Sequence, residues 1–221
     1  MKKKVKKHDI APRPYFSWSS YNLFGRSPEA WRKRYLLGEK GLQTPAMTFG
    51  KKFALAREKG EDEELEHITM FLPTYPRREY EMTATVRIDG KDVILLGIFD
   101  ECDLRRHIVA DDKTGLATHI TKKGNVSKEW NQKRVDKEEQ LTWYAFIYWK
   151  KKGVLPKLRL HWVETEERMG IDAARVIRAT GRVETFDTTR TVKDFLPLVE
   201  KINKRWRSIV QLCELEWAKV V

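Results

Sequence analysis

The stretch that most constrains this chain runs from Gly97-Ile98-Phe99-Asp100 through Cys102 and Arg105-Arg106 to Val109-Ala110-Asp111-Asp112-Lys113-Thr114-Gly115. Two apolar runs, each ending in acid and separated by a short charged turn, predict an antiparallel hairpin. With the turn centred on Arg105-Arg106, Asp100 faces Asp111 directly, and their Cβ atoms stand roughly 5 Å apart on one side of the ladder. Lys113 shares that side, because strand side chains alternate with period two. Like charges placed opposite one another destabilise a sheet, so the hairpin calls for a cation between its carboxylates. The arrangement reads as a Mg²⁺ site suited to phosphodiester hydrolysis.

A polyanionic partner fits the rest of the composition. The 221 residues carry 44 Lys and Arg against 32 Asp and Glu, a formal net charge of +12, spread along the chain rather than gathered in one membrane-facing block. This favours nucleic acid, here DNA, over a membrane. With 8 Trp, 7 Tyr and 9 Phe the chain has ample material for a packed core, which argues against global disorder. No apolar run reaches the length of a membrane span and no secretory leader follows the basic N-terminus, so a soluble, cytoplasmic protein is expected. Cys102 and Cys213 form no disulfide framework or zinc-binding spacing, and packed reduced thiols are expected at both.

Residues 1–14 read as a basic, disordered arm (MKKKVKK at its start) ahead of a single domain over 15–221. Ser17, Ser19 and Ser20 offer N-caps for a helical segment over 19–37, which Pro28 divides in two. A further helix is predicted from Met47 to about Gly60, with Phe49, Phe53 and Ala56 as its apolar stripe, and the acidic run Glu61 to Glu66 as a solvated face. Strands follow at 79–88, 93–103 and 107–113, the first two joined by the turn signal Asp89-Gly90. Residues 116–135 form a basic loop in which Lys122, Lys123, Lys128, Lys133 and Arg134 could hold a nucleic-acid backbone while Trp130 stacks on a base.

Asp136 with Glu139 predicts the cap of a largely buried helix running through Leu141 to Trp149, from one side of which Gln140 and Tyr144 project. Strands over 158–164 and 174–184 extend the sheet, and a long amphipathic helix covers Thr191 to about Trp217. Its basic side, Lys201, Lys204, Arg205 and Arg207, reads better as a solvated face than as a phosphate stripe. The whole is an α/β layout around one mixed sheet flanked by helices.

In these motifs the chain resembles the PD-(D/E)xK nuclease superfamily, specifically its RecB-like exonuclease branch, which includes CRISPR-associated and phage recombination nucleases. Asp100 in Gly97-Ile98-Phe99-Asp100 falls on the first acid, Asp111, Asp112 and Lys113 supply the D-x-K, and Thr114-Gly115 follows as is common in that branch. Gln140-Leu-Thr-Trp-Tyr144 fits its QxxxY helix. Ser17, Ser19, Phe24 and the Ser27-Pro28 pair fit the N-terminal spacing, and Gly50 and Glu58 match the ends of G-x-x-x-H-x-x-x-E. Each motif alone is weak, while five in order over residues 17 to 144 are specific.

The resemblance implies a restriction-endonuclease-like core and an Mg²⁺- or Mn²⁺-dependent deoxyribonuclease. Asp100, Asp111, Glu58 and the backbone carbonyl of Asp112 would hold the metal; Lys113 would steady charge or water, and Gln140 and Tyr144 would hold the lysine or the DNA strand. An exonuclease in recombination, repair or phage DNA metabolism is implied, with a recombination or replication protein as a further partner left open. Three departures stand out. Ala54 occupies the place of the family's metal-binding histidine, and the nearest histidine downstream, His67, is expected at the surface. Ser27 replaces a cysteine of the iron-sulfur members, so no iron-sulfur cluster is expected. Asp112 replaces the usual apolar middle residue of D-x-K and is expected to point away from Asp111 and Lys113, at a solvated strand end. Two alternatives stay open: a catalytically impaired DNA-binding or scaffold protein, and a structure-specific endonuclease.

Overall fold

The computed structural model describes residues 13–60, 62–121, 124–127, 129–169 and 175–218. Most of the expected basic arm, together with Lys122, Lys123 and Lys128, lies outside the described residues. A two-residue strand β1 (Phe16–Ser17) opens the fold, and Ser17 then caps helix α1 (Trp18–Arg26), accepting from the Ser20 amide at 3.4 Å. Ser27 caps α2 (Pro28–Trp31) in the same way, with Pro28 in the first turn where no N–H is needed. A π-helical turn (Arg32–Leu36) follows.

Helix α3 (Pro45–Lys59) buries Phe49, Phe53 and Ala56 as expected, and ends at Gly60, whose φ of +68 suits a residue without Cβ. The acidic run after it is more than a solvated face. It forms α4 (Glu63–Thr69), in which Leu65 and Ile68, three apart, turn inward while Glu63, Glu64 and Glu66 stay exposed.

Strands β2 (Arg77–Ile88) and β3 (Lys91–Asp103) meet at Asp89 and Gly90, with φ +50 and +77, the two positive values a type I′ turn requires. Next come β4 (Ile108–Leu116), the hairpin β5 (Thr118–Thr121) and β6 (Gly124–Ser127), and α5 (Gln132–Val135), so the predicted basic loop is partly folded. Helix α6 (Glu139–Lys152), β7 (Lys157–Met169), β8 (Arg175–Thr188) and α7 (Val192–Ala218) complete the chain. Asp136 does not cap α6: it ends α5, accepting from Gln132 and Thr188, while the Glu138 side chain takes the Gln140 amide at 3.3 Å.

The six-stranded sheet is mixed. One side of β3 pairs antiparallel with β2 along most of its length; its other side pairs parallel with β1 at Leu95-Leu96 and antiparallel with β4 only at Glu101, Cys102 and Asp103. The β4 pairs are Glu101 with Ala110, Cys102 with Val109 and Asp103 with Ile108, the register that sets Asp100 opposite Asp111. Beyond Ala110 the two strands part, and β4 runs parallel to β7, which pairs antiparallel with β8. Gly97 to Asp100 is thereby left without a strand partner on that side. The fork opens between β1 and β4.

Helices α6 and α7 cover one face over a core that includes Leu95, Phe99, Val109, Trp143, Tyr148 and Ile202; α3 and α4 cover the other with Phe49, Phe53, Leu65, Ile68 and Leu72. Each such side chain contributes about 1.5–3 kcal/mol by leaving water. Cys102 and Cys213 are buried free thiols, pushed up by burial to about 11 and about 12. Among the described residues no helix is long and apolar enough to cross a membrane. On α7, Lys201 pairs with Glu139, Arg205 lies over the Tyr21 ring and Arg207 pairs with Asp89, so three of its four basic residues serve contacts within the protein.

Helix α6 lies close against β3. A Cβ built at Gly97 would stand 3.0 Å from the Phe99 ring and 3.3 Å from Ile147 Cδ1. Gly97→Ala is therefore expected to cost about 1–3 kcal/mol by overpacking, read from urea unfolding; unchanged stability would show that α6 is free to move outward.

Candidate active site

At the fork, Asp100 takes over the role of the missing ladder bond. Its Oδ2 accepts from the Asp112 amide at 2.7 Å, which fixes where β4 turns away from β3. Asp111, fully buried, and Lys113 face α6 from alternate positions of β4. The Lys113 Nζ lies 2.5 Å from Asp111 Oδ2 and donates to Gln140 Oε1 at 2.9 Å. The Gln140 Nε2 donates to Asp111 Oδ1 at 3.0 Å and to the Tyr144 hydroxyl at 2.6 Å. Gln140 and Tyr144, one helical turn apart, thus hold the acid and the lysine in a single network.

Asp112 does point away from that pair, as alternation requires, yet it ends in no solvated position. It packs against α3, where Arg57 Nε stands 3.3 Å from its Oδ2. The Arg57 guanidinium, 2% exposed, also pairs with Glu101 and donates to the Pro73 carbonyl at 2.8 Å. Glu101 receives Arg78 at 3.1 Å and the Tyr75 amide at 3.0 Å besides. This cluster was not read from the sequence. A signal was present: Arg57 continues the spacing of Phe49 and Phe53, which places a charge on the apolar stripe of α3.

Between α3 and the fork lies a cavity of about 170 Å³ whose wall includes Gly50, Ala54 and Glu58 from one side of α3 and Glu79, Asp100 and Asp112 from the strands. The structure therefore brings Glu58 and Asp100 to one cavity, with Asp112 beside them and Asp111 and Lys113 on the other side of β4. Ala54 offers only a methyl there. His67 is exposed on α4, and His161, buried and held down to about 3 by burial and by Arg57 and Arg159, gives its Nδ1 to a hydrogen bond with Thr185.

Burial and the charge of Asp111 push Asp100 well above the usual carboxylate range, against the opposing pull of Lys113. Burial likewise raises Asp112, with Arg57 opposing, and raises Glu79, with Glu58 and Asp112 adding to the effect. Burial works against the Lys113 charge, but Asp111 and Asp100 outweigh it and keep the ammonium protonated. Tyr144 is raised by burial and by both aspartates, so its hydroxyl stays neutral.

Among the described residues no three Asp, Glu, His or Cys side chains converge to metal-binding distance as they stand. The donor set nevertheless suits a hard cation. It is all oxygen, Asp112 Oδ1 is buried without a hydrogen-bond partner, and the negative charges repel one another enough to hold protons.

Trp130 corrects the expected stacking surface. It is 8% exposed, and the Arg134 guanidinium lies 3.7 Å from its ring centroid, so neither ring face is presented to a base. Lys133 and Arg134 are exposed on α5.

No family model matches the sequence, and no curated protein matches it. Solved structures do match in shape. One, from Eubacterium rectale and described as a "Putative exonuclease", superposes with a TM-score of 0.56 over 90% of this chain and 80% of its own, at 13% identity. Another, SSO0001, gives 0.48 over 95% and 79%, also at 13% identity. The first likeness establishes a shared fold.

Asp100 yields a pH test of the site's electrostatics. Its raised value means the folded protein binds this proton more tightly than the unfolded chain, so its contribution to stability is full below about pH 4 and lost as pH rises through the raised value. Asp100→Asn can still accept the Asp112 amide but cannot ionise. In metal-free buffer its Tm should match wild type near about pH 4 and exceed it at about pH 8; a lower Tm at the higher pH would contradict this account of the charge.

Proposed function

We propose that this chain is a metal-dependent deoxyribonuclease, an exonuclease of recombination, repair or phage DNA metabolism. The observation that carries the reading is the fork itself, where the parting of β3 and β4 sets Asp100 beside the Asp111 and Lys113 pair with Gln140 and Tyr144 behind it. The motif order in the sequence and the fold shared with a protein described as an exonuclease support it.

In this reading Mg²⁺ or Mn²⁺ is held by Asp100, Asp111, Glu58 and the backbone carbonyl of Asp112. The bound ion would neutralise charge on the scissile phosphate and lower the pKa of the attacking water. Asp111 would exchange the Lys113 ammonium for the ion at Oδ2 while Gln140 keeps hold of Oδ1. The freed ammonium, on its flexible stem, would then steady the phosphate oxygen or orient the water. Gln140 accepts from that same ammonium and so limits how far it swings. Tyr144, a neutral hydroxyl, fixes the Gln140 amide so that its N–H groups face Asp111. The net charge of +12 favours a DNA substrate, and exposed Lys133 and Arg134 would add phosphate contacts.

One observation favours a second reading. Ala54 supplies no ligating atom where the family has histidine, which fits a DNA-binding or scaffold protein that has lost catalysis. Titration to millimolar Mg²⁺ and Mn²⁺ separates the two, and comparing circular with end-labelled linear DNA separates endonuclease from exonuclease activity.

Asp111→Ala and Lys113→Ala are each expected to lower Mg²⁺- or Mn²⁺-dependent cleavage of linear DNA roughly 100-fold or more while DNA binding by gel shift persists. Undiminished cleavage by both variants would overturn the site.

A further inference from the structure

The rung formed by Glu79 and Asp100 is where the two faces of the β2/β3 ladder change over. Tyr80 opposes Phe99, which packs edge-on against Tyr144 of α6 at 5.0 Å between ring centroids. Two residues along each strand, Arg78 opposes Glu101, which pairs with Arg57 of α3 on the other face of the sheet. Residues two apart on a regular strand share a face, so both strands turn over between these rungs. The ladder skips the intervening rung, and there Glu79 holds φ at +44, a left-handed conformation that a residue with a Cβ rarely adopts. Such a backbone persists where the surroundings impose it, typically at functional sites. Its consequence here is that Glu79 and Asp100 both reach the wall of the 170 Å³ cavity.

Charge balance in the cavity points the same way. Four carboxylates line it: Glu58, Glu79, Asp100 and Asp112. Arg57 and Arg78 both pair with Glu101, Arg57 pairs with Asp112 as well, and Lys113 pairs with Asp111. Among the described residues, no Lys or Arg forms an ion pair with Glu58, Glu79 or Asp100. Independently of that cluster, Asp112 Oδ1 is a buried acceptor with no partner, on a side chain only 11% exposed that faces the same space.

We propose that Glu79 is the cation ligand that stands in for the family's missing histidine at Ala54, closing with Glu58 the coordination begun at Asp100. The inference rests on the metal-site reading above. A carboxylate across the cavity from α3 supplies the donor that the methyl of Ala54 does not, and a charged oxygen in place of a neutral nitrogen suits Mg²⁺ or Mn²⁺.

Calorimetric titration of the full chain with Mn²⁺, without DNA, tests it. Glu79→Gln should weaken Mn²⁺ binding about tenfold or more and shrink the rise in Tm that Mn²⁺ gives. Glu81→Gln, exposed on the same strand and outside the cavity wall, should bind as wild type does. Adding Ala54→His to Glu79→Gln should restore affinity, a result that a merely structural Glu79 would not produce. Equal Mn²⁺ affinity in wild type and Glu79→Gln overturns the Glu79 assignment and leaves the metal site standing. No binding by wild type at millimolar Mn²⁺ overturns both.

Discussion

The hydrogen bond from the Asp112 amide to the Asp100 carboxylate holds the rest of the arrangement in place. Without it, β3 and β4 would either continue their ladder and close the cleft or separate without a defined angle. Three ladder pairs bring the strands together and the side chain then substitutes for a backbone acceptor, so the strands part at one residue. The parting puts Asp111 and Lys113 toward α6 and Asp112 toward α3. A single strand thereby serves two differently charged environments.

Those environments are built on opposite principles. On the α6 side, the Asp111 and Lys113 pair is held by a glutamine, whose amide can donate and accept at once and so bridges acid and ammonium without adding charge. On the α3 side, Arg57 is buried and five-fold competent as a donor, and it ties Glu101, Asp112 and the loop carbonyls after α4 into one cluster. A buried arginine stripped of these partners would be strongly destabilising, so this cluster fixes the distance of α3 from the sheet. The cavity between them keeps Glu58, Glu79 and Asp100 short of positive charge. Mutual repulsion left in a folded structure is a cost that a bound cation removes.

Much of this was legible in the sequence because it is local. The register of Asp100 against Asp111 follows from the turn at Arg105-Arg106, the I′ turn from Asp89-Gly90, and the shared side of Gln140 and Tyr144 from helical spacing. What was not legible depends on chain segments distant from one another. The two-residue β1 has no period to detect; α4 hides Leu65 and Ile68 within an acidic run; and Asp112 gains its partner from Arg57, 55 residues earlier. Trp130 looked like a stacking platform because a loop aromatic among lysines resembles one, and only the fold shows Arg134 lying across its face. Glu79 reads in sequence as one more outward residue of an alternating strand. Its positive φ and its skipped rung are properties of the pairing with β3.

The central claim is that the fork is built to hold a divalent cation. Anomalous scattering from crystals soaked in Mn²⁺ measures this most directly. The account predicts a peak in the cavity bounded by Glu58, Asp100 and Asp112, within coordination reach of the Asp100 carboxylate. A fully soaked crystal with no peak there, or with its only strong peak elsewhere on the surface, would contradict it.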